Sequence, residues 1–271
     1  MSLVAEMLSY RFMVRAFAVG IPVSLCAALL GVSLVLKRYS MIGDGLSHVG
    51  FGALALAAAL NLAPLSVAVP LVIAAAFLLL RISENGRIKG DAAIAMISGG
   101  SLAFGVILVS MTTGMNADVS NYMFGSILSL SSADTVLGAA LSAAVLLLFI
   151  LLYPRIFAVT FDESFAKATG TRAERYNSVI AVLTAVTVVL GMRMMGALLI
   201  SSLIIFPALT AMRVCRSFRS VTVCAAVLSV LCFVIGLCAS YAFELPAGAG
   251  IVAVNILAFA LCSLAAYIKK H

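Results

Sequence analysis

Residues 16–36 of the chain read AFAVGIPVSLCAALLGVSLVL, and no charged side chain occurs between Arg15 and Lys37. A helix of about 21 residues is roughly 31 Å long, which matches the thickness of the hydrocarbon core of a bilayer. The apolar residues follow one another without the regular apolar–polar alternation of a β-barrel strand. This stretch therefore predicts a transmembrane α-helix.

The apolar bias of this stretch extends over the whole chain of 271 residues. Hydrophobic residues make up 64% of the chain and charged residues 10%, and the mean hydropathy is +1.23. A soluble domain has about 45–50% apolar and about 25% charged residues, so a water-soluble enzyme is excluded, as is a disordered chain. Because only helices and closed barrels can span a bilayer, we expect an all-α, polytopic transmembrane protein with one membrane domain over residues 1–271.

Charged residues mark the ends of the predicted spans. Residues 178–212 form an apolar run of about 35 residues, which is too long for one span of roughly 20 residues. The segment from Gly191 to Gly196 interrupts this run, which predicts two passes and nine spans in total, or eight if the run crosses once. Residues 157–177 are too polar to span and are expected to form a short helix and loop. Three other spans are predicted at about residues 16–36, 41–62 and 92–113. Two more end at Arg81 and at Pro154–Arg155, and the last two lie on either side of residues 244–248.

Basic residues are distributed unevenly between the predicted loops. By the positive-inside rule, the most basic loops lie in the cytoplasm. Alternating passes place all of these loops on that side only if the chain spans the cell membrane nine times. The N-terminus then lies outside and the C-terminus lies in the cytoplasm. Arg11 and Arg15 then lie outside, on an expected interfacial helix. The excess of basic residues therefore indicates how the chain is oriented in membrane lipid. No nucleic acid partner is predicted, because the basic residues do not cluster on one face. The cytoplasmic loops hold 14 of the 17 basic residues and lie at Lys37–Arg38, residues 81–89, 155–175 and 213–219, and Lys269–Lys270.

Two ionisable residues lie inside the second predicted span, in the sequence Ile42-Gly-Asp44-Gly-Leu-Ser-His48-Val-Gly50. Asp44 and His48 are four residues apart, so a helix places both on one face. A carboxylate and an imidazole suit zinc or manganese. The alternative is an Asp–His hydrogen bond that only joins two helices. Two ligands are too few for a tight site, but a homodimer with this helix beside its axis would supply four.

Other interpretations of the chain remain open from the residues alone. A gradient-driven secondary metal transporter would normally show inverted repeats and more intramembrane carboxylates. An intramembrane aspartyl hydrolase would use Asp44 but needs a second carboxylate within reach, and no other predicted span contains one. Glu244 is either a cation-recruiting residue at the outer mouth or a solvated loop acid. The six cysteines show no C-x-x-C pairing and are expected to be free, apolar residues.

Five motifs follow one another over nearly the whole chain. They are Lys37-Arg-Tyr-Ser-Met-Ile-Gly-Asp44-Gly-Leu-Ser-His48, Tyr122-Met-Phe-Gly-Ser-Ile-Leu128, Phe161-Asp-Glu-Ser-Phe-Ala-Lys-Ala-Thr-Gly170, Gly196-Ala-Leu-Leu-Ile-Ser-Ser-Leu-Ile-Ile-Phe-Pro207-Ala and Glu244-Leu-Pro-Ala-Gly248. Together, and in this order, they resemble the motifs of the membrane permease subunits of ABC importers for zinc and manganese. The resemblance implies a fold like that of type II ABC importers and identifies Asp44 and His48 as the metal-pathway pair. Glu244 departs from the family, in which Asp is more usual.

The resemblance also implies how such a permease works and with which partners. A homodimer is expected on two cytoplasmic ATP-binding subunits, with an extracytoplasmic metal-binding protein delivering zinc or, second in preference, manganese. The stretch Ala208–Ser220 resembles a coupling segment, in which Arg213, Arg216 and Arg219 would face the ATPase. The sequence has no G-x-x-x-x-G-K-[ST] phosphate loop. The chain is therefore expected not to be an enzyme and to hold no permanent cofactor, with ATP bound by the partner.

Overall fold

The computed structural model describes residues 7, 9–84, 90–112 and 132–268. Within these residues, every spanning element is an α-helix, and nine helices are long and apolar enough to cross a membrane. The predicted all-α, nine-span architecture is therefore confirmed. The helices are α1 (Arg11–Leu36), α2 (Ile42–Ala59), α3 (Pro64–Glu84), α4 (Gly90–Met111), α5 (Ser132–Phe161), the short α6 (Glu163–Ala168), α7 (Ala173–Met195), α8 (Ala197–Val214), α9 (Phe218–Ala242) and α10 (Ala247–Ile268).

The long apolar run at residues 178–212 is divided at Gly196. This residue has φ 91° and ψ 159°, a backbone conformation that is essentially restricted to glycine. Its N–H still donates to the carbonyl of Met192 at 2.9 Å, which closes the end of α7 before α8 begins at Ala197. The prediction of two passes is confirmed, and the break falls at the last residue of the predicted interruption because residues 191–195 remain helical.

Two predicted boundaries are wrong. Helix α5 passes through Pro154 and ends at Phe161, because a proline in a membrane helix removes one backbone hydrogen bond without ending an apolar segment. The short helix that does not span the membrane is therefore α6 alone. Arg11 and Arg15 lie in the first turns of α1 itself rather than on a separate interfacial helix, since long basic side chains can extend from a helix end toward the interface.

Some predicted features lie outside the described residues. These are most of the segment that leads into the first span, the loop at residues 85–89, the polar stretch at 113–131 with its Tyr122–Leu128 motif, and the basic end at 269–271. In addition, the described helices extend beyond the predicted spans, so that Asp91 and Glu174 fall in the first turns of α4 and α7. Both of these carboxylates are exposed at helix ends.

Helices α1, α2 and α7 form the interior of the bundle, with α8 beside them. About two thirds or more of each apolar window is buried in the interior helices, at 72% for α2 and 67% for α1 and α7, against 22% for α3, α4 and α5 and 11% for α10. The outer helices expose large apolar side chains such as Phe104 and Ile150. Lipid is as apolar as these side chains, so their exposure is expected in a membrane.

Small residues allow the interior helices to approach closely. Gly31 of α1 lies against the backbone carbonyl of Ile204 on α8, and a Cβ at this position would overlap the carbonyl oxygen. The hydroxyl of Ser229 on α9 donates to the backbone carbonyl of Ser24 on α1 at 2.9 Å, a type of contact that joins membrane helices. All six cysteines are free, as predicted. The packing holds α8 against α1 and α2, and this places α8 beside Asp44.

Candidate metal site

Helix α2 begins two residues before Asp44 and carries both residues of the predicted site. The N–H of Ile42 donates to the carbonyl of Tyr39 at 3.0 Å, and the N–H of Gly45 donates to that of Met41 at 3.0 Å. These bonds close the first turn of the helix. Asp44 lies in that turn, where a carboxylate is favoured by the positive end of the helix dipole. The local sequence therefore places a negative charge at the start of a mostly buried helix.

The structure brings Asp44 and His48 together on one face of α2. Nε2 of His48 lies 3.7 Å from Oδ2 of Asp44. This distance is too long for a direct hydrogen bond, which has a limit of about 3.2 Å. Two donor atoms bound to one tetrahedral ion at about 2.1 Å lie roughly 3.4 Å apart, so the observed spacing is close to that of two ligands. The alternative of an Asp–His hydrogen bond that only joins two helices stays a prediction: the 3.7 Å spacing lies within α2, and Asp44 also contacts Ser201 of α8.

Both side chains remain accessible although most of α2 is buried. The exposed fraction is 43% for the Asp44 side chain and 22% for that of His48. Neighbouring residues of the same helix, such as Leu46 and Leu54, are fully buried. Asp44 and His48 thus form a polar strip on an otherwise apolar helix, and both side chains can be reached from outside the protein chain.

A third polar side chain, Ser201 of α8, lies beside Asp44. Oγ of Ser201 is 3.5 Å from Oδ1 of Asp44 and also donates to the carbonyl of Ala197 at 3.2 Å. The helices are close here because Gly43 faces the side chain of Ile204. Ser201 is not among the site residues predicted from the sequence. The only sequence signal is the Ser201–Ser202 pair in an apolar helix, and the contact with Asp44 spans 157 residues of the chain.

The predicted site contains one carboxylate and one imidazole, which are side chains of types that bind metal ions. Within the part of the chain that the structure describes, no group of three or more His, Cys, Asp or Glu side chains could hold a metal ion. A carboxylate and an imidazole with open coordination positions can bind a divalent ion weakly and release it.

The remaining predicted residues lie away from Asp44 and His48. Arg213 is in the last turn of α8, Arg216 is in the connection to α9 and Arg219 is in the first turn of α9, and all three are exposed. The guanidinium of Arg213 stacks on the ring of Phe259 at 5.9 Å. Glu244 is exposed in the connection between α9 and α10, with φ 54°. Neither group contributes to the Asp44–His48 pair.

Comparison with known proteins identifies relatives over nearly the full length of the chain. The zinc uptake membrane protein ZnuB of Haemophilus influenzae is 29% identical over 252 residues, covering 93% of this chain and 97% of the relative. The manganese transport membrane protein MntC of Halalkalibacterium halodurans is 26% identical over 256 residues, covering 94% and 88%.

A solved structure supports the same relationship. The fold matches a chain of PsaBC from Streptococcus pneumoniae, solved in complex with Fab, with a TM-score of 0.85 and 29% identity over 96% of this chain and 95% of that chain. The model of the ABC 3 transport family matches residues 9–266. The predicted resemblance is thereby confirmed, and this chain belongs to the ABC 3 transport family.

Proposed function

We propose that this chain is the permease subunit of an ABC importer and carries a divalent transition metal, zinc in preference to manganese, past Asp44 and His48. The observation that carries the proposal is this accessible pair, spaced 3.7 Å apart on the most buried helix of the bundle. Relatives named for zinc uptake and for manganese transport support the substrate class. The imidazole of His48 favours zinc, because manganese prefers oxygen ligands.

The transport site is completed by a second copy of the chain. One copy supplies one carboxylate and one imidazole, so a homodimer with α2 beside its axis supplies two of each. The two Asp44 carboxylates then neutralise the charge of a divalent ion. The exposure of 43% for Asp44 in one copy leaves the carboxylate available to such a shared site. Ligands divided between two copies release the ion when the copies move apart.

Energy for transport comes from a separate cytoplasmic pair of ATP-binding subunits. The sequence of this chain has no phosphate loop, so the permease supplies the path and the partner supplies ATP hydrolysis. The partner docks at the exposed basic residues Arg213, Arg216 and Arg219, which lie at the end predicted to be cytoplasmic. Helix α6 at the same predicted end exposes 66% of Phe165, which makes it a second contact for the partner.

On the opposite side, an extracytoplasmic metal-binding protein delivers the ion. Glu244 is exposed between α9 and α10 at the end predicted to lie outside, and its carboxylate attracts cations to the entrance. The membrane is the cell membrane, with the N-terminus outside and the C-terminus in the cytoplasm. This orientation follows from the distribution of basic residues between the predicted loops.

Replacement of the two ligands tests this function. In cells that express the permease with its native partners, we expect Asp44→Asn and His48→Ala to abolish zinc accumulation while both variants remain in the membrane and assemble with the ATPase. The matched control is Asp91→Asn, which removes an exposed carboxylate from the first turn of another spanning helix. Normal accumulation in the Asp44 and His48 variants would exclude the proposed path.

Two measurements separate the remaining alternatives. A secondary transporter would accumulate metal without ATP and without a co-purifying ATPase, whereas the proposed importer requires both. An aspartyl hydrolase needs a second carboxylate beside Asp44. Among the described residues, no third His, Cys, Asp or Glu side chain joins Asp44 and His48 in a group, which favours transport over hydrolysis.

A further inference from the structure

Three polar side chains from distant parts of the chain meet at the start of the segment that leads into α2. Nζ of Lys37 lies 3.2 Å from Oε2 of Glu163 and also donates to Oδ1 of Asn177. Nδ2 of Asn177 donates to the same Oε2 at 3.1 Å. We call Lys37, Glu163 and Asn177 the polar triad. It connects the end of α1, the first residue of α6 and the second turn of α7.

The triad is shielded from solvent at Lys37 and Asn177, whereas 36% of the Glu163 side chain is exposed. Only 12% of the Lys37 side chain is exposed, and Asn177 is 9% exposed. Partial burial of the Glu163 carboxyl opposes its ionisation, but hydrogen bonds from Lys167 and Asn177 and the charge of Lys37 lower its pKa from 4.5 to about 2. The carboxylate therefore stays charged at physiological pH. A shielded ammonium that loses its carboxylate partner is strongly disfavoured, so the two charges hold each other in place.

The segment from Lys37 to Met41 transmits this anchoring to Asp44. Lys37 caps the end of α1 by donating its N–H to the carbonyl of Ser33 at 3.1 Å, and the N–H of Tyr39 donates to that of Leu34 at 2.8 Å. Arg38 adopts φ 62°, a left-handed conformation that is uncommon outside glycine. The turn is short and internally bonded, and Asp44 follows within the first turn of α2. The position of Lys37 therefore restricts the position of Asp44.

Apolar packing and the polar triad hold the start of α2 from different sides. Ile42 is only 2% exposed, and Gly43 lies against the side chain of Ile204 on α8. On the side of the triad, a pocket of about 70 Å³ is lined by Ile42, Leu80 and Ile180 together with the triad residues, and unfilled space provides no van der Waals contact. The polar triad is therefore a contact that adds to the apolar packing at this end of the helix.

We infer that Lys37, Glu163 and Asn177 are positioning residues that hold the first turn of α2 and thereby the position of Asp44 relative to Ser201 on α8. This inference rests on the proposed function of Asp44 and His48. It also means that a displacement of α6 moves Glu163, and with it the turn that precedes the metal site. Without the triad, the metal ligands are present but less well oriented.

The test is the concentration dependence of zinc uptake in whole cells with the native partner proteins. Lys37→Met keeps most of the side-chain volume but removes the charge. We expect it to raise the zinc concentration for half-maximal uptake by about ten-fold, as for other residues that orient metal ligands, with little change in the maximal rate per permease. Lys37→Arg should restore the normal value. A variant that only impaired folding would lower the maximal rate and leave the half-maximal concentration unchanged.

Two further variants make the result decisive. Lys167→Met removes the other lysine that pairs with Glu163, at 3.0 Å, but this residue belongs to α6 itself and is 52% exposed, so uptake should remain normal. The double variant Lys37→Met/Glu163→Gln leaves no unpaired shielded charge and should show the same raised half-maximal concentration. Loss of both Lys37 variants from the membrane would overturn the inference, because the triad would then serve folding.

Failure of this inference is distinguishable from failure of the proposed function. If Asp44→Asn abolishes uptake and Lys37→Met has a normal half-maximal concentration, the pathway stands and the positioning role is wrong. If Asp44→Asn transports zinc normally, the proposed function is wrong, whatever the result for Lys37.

Discussion

Nε2 of His48 lies 3.7 Å from Oδ2 of Asp44 across one turn of α2, and both side chains are accessible. One nitrogen donor and one oxygen donor thus occupy adjacent positions. Because the two donors differ in the metals they prefer, the identity of residue 48 determines the metal preference of the proposed site. Exchange of this one residue should therefore change the ratio of zinc to manganese uptake.

We expect His48→Asp to raise the ratio of manganese to zinc accumulation on the order of ten-fold, because an all-oxygen site favours manganese. Elemental analysis of cells supplied with either metal measures this ratio. His48→Gln is the control, since it removes the imidazole without adding a carboxylate and should lower uptake of both metals. An unchanged ratio in His48→Asp would place metal selection elsewhere, for example in the metal-binding protein that delivers the ion.

The contact between Gly31 and the backbone of Ile204 predicts a second, structural effect. A Cβ at residue 31 would overlap a carbonyl oxygen, which cannot rotate away as a side chain can. We expect Gly31→Ala to push α1 and α8 apart and to destabilise the purified permease by about 1–3 kcal/mol. A lower thermal unfolding temperature in detergent measures this. Zinc uptake should fall as well, because Ile204 also contacts Gly43 beside Asp44.

Gly99→Ala is the matched control for Gly31→Ala. Nothing lies within 4 Å of a Cβ built at Gly99 on α4, and alanine is favoured over glycine in a helix by roughly 1 kcal/mol. The unfolding temperature of this variant should equal or exceed that of the wild type. Equal unfolding temperatures for the two variants would show that the α1–α8 interface can relax around a methyl group.

The features that were predictable from the sequence depend on local spacing or on length. Asp44 and His48 are four residues apart in one span, so any helix places them together. The excess length of residues 178–212 indicated a break, but Gly191 and Gly196 suited it equally well, and only the positive φ of Gly196 identifies the position.

The remaining features depend on tertiary contacts that no local pattern encodes. Ser201 reaches Asp44 across 157 residues, and Lys37 reaches Asn177 across 140. Ser201 has an ordinary alternative role as a serine inside a helix, and Lys37 has one as a basic residue at a membrane boundary. Pro154 indicated a helix end that does not occur, since the apolar segment around it continues to Phe161.

The proposed docking surface for the ATPase consists of Arg213, Arg216 and Arg219. Arg213 also stacks on Phe259, so its replacement would disturb packing as well as docking. The double variant Arg216→Glu/Arg219→Glu avoids this, and we expect it to weaken association with the ATPase subunit on the order of ten-fold at low salt, because like charges across an interface slow association. The difference should shrink at high ionic strength.

Co-purification of the permease with its ATPase at several salt concentrations measures this effect. Arg11→Glu is the control, because Arg11 is an exposed arginine at the opposite predicted end of the bundle. Phe165→Ala tests α6 independently, since an exposed aromatic side chain contributes contact area that salt does not screen. Normal association of the arginine variant together with loss in Phe165→Ala would assign docking to α6 alone. Since Glu163 begins the same helix, that result would connect the partner directly with Lys37 and the turn before Asp44.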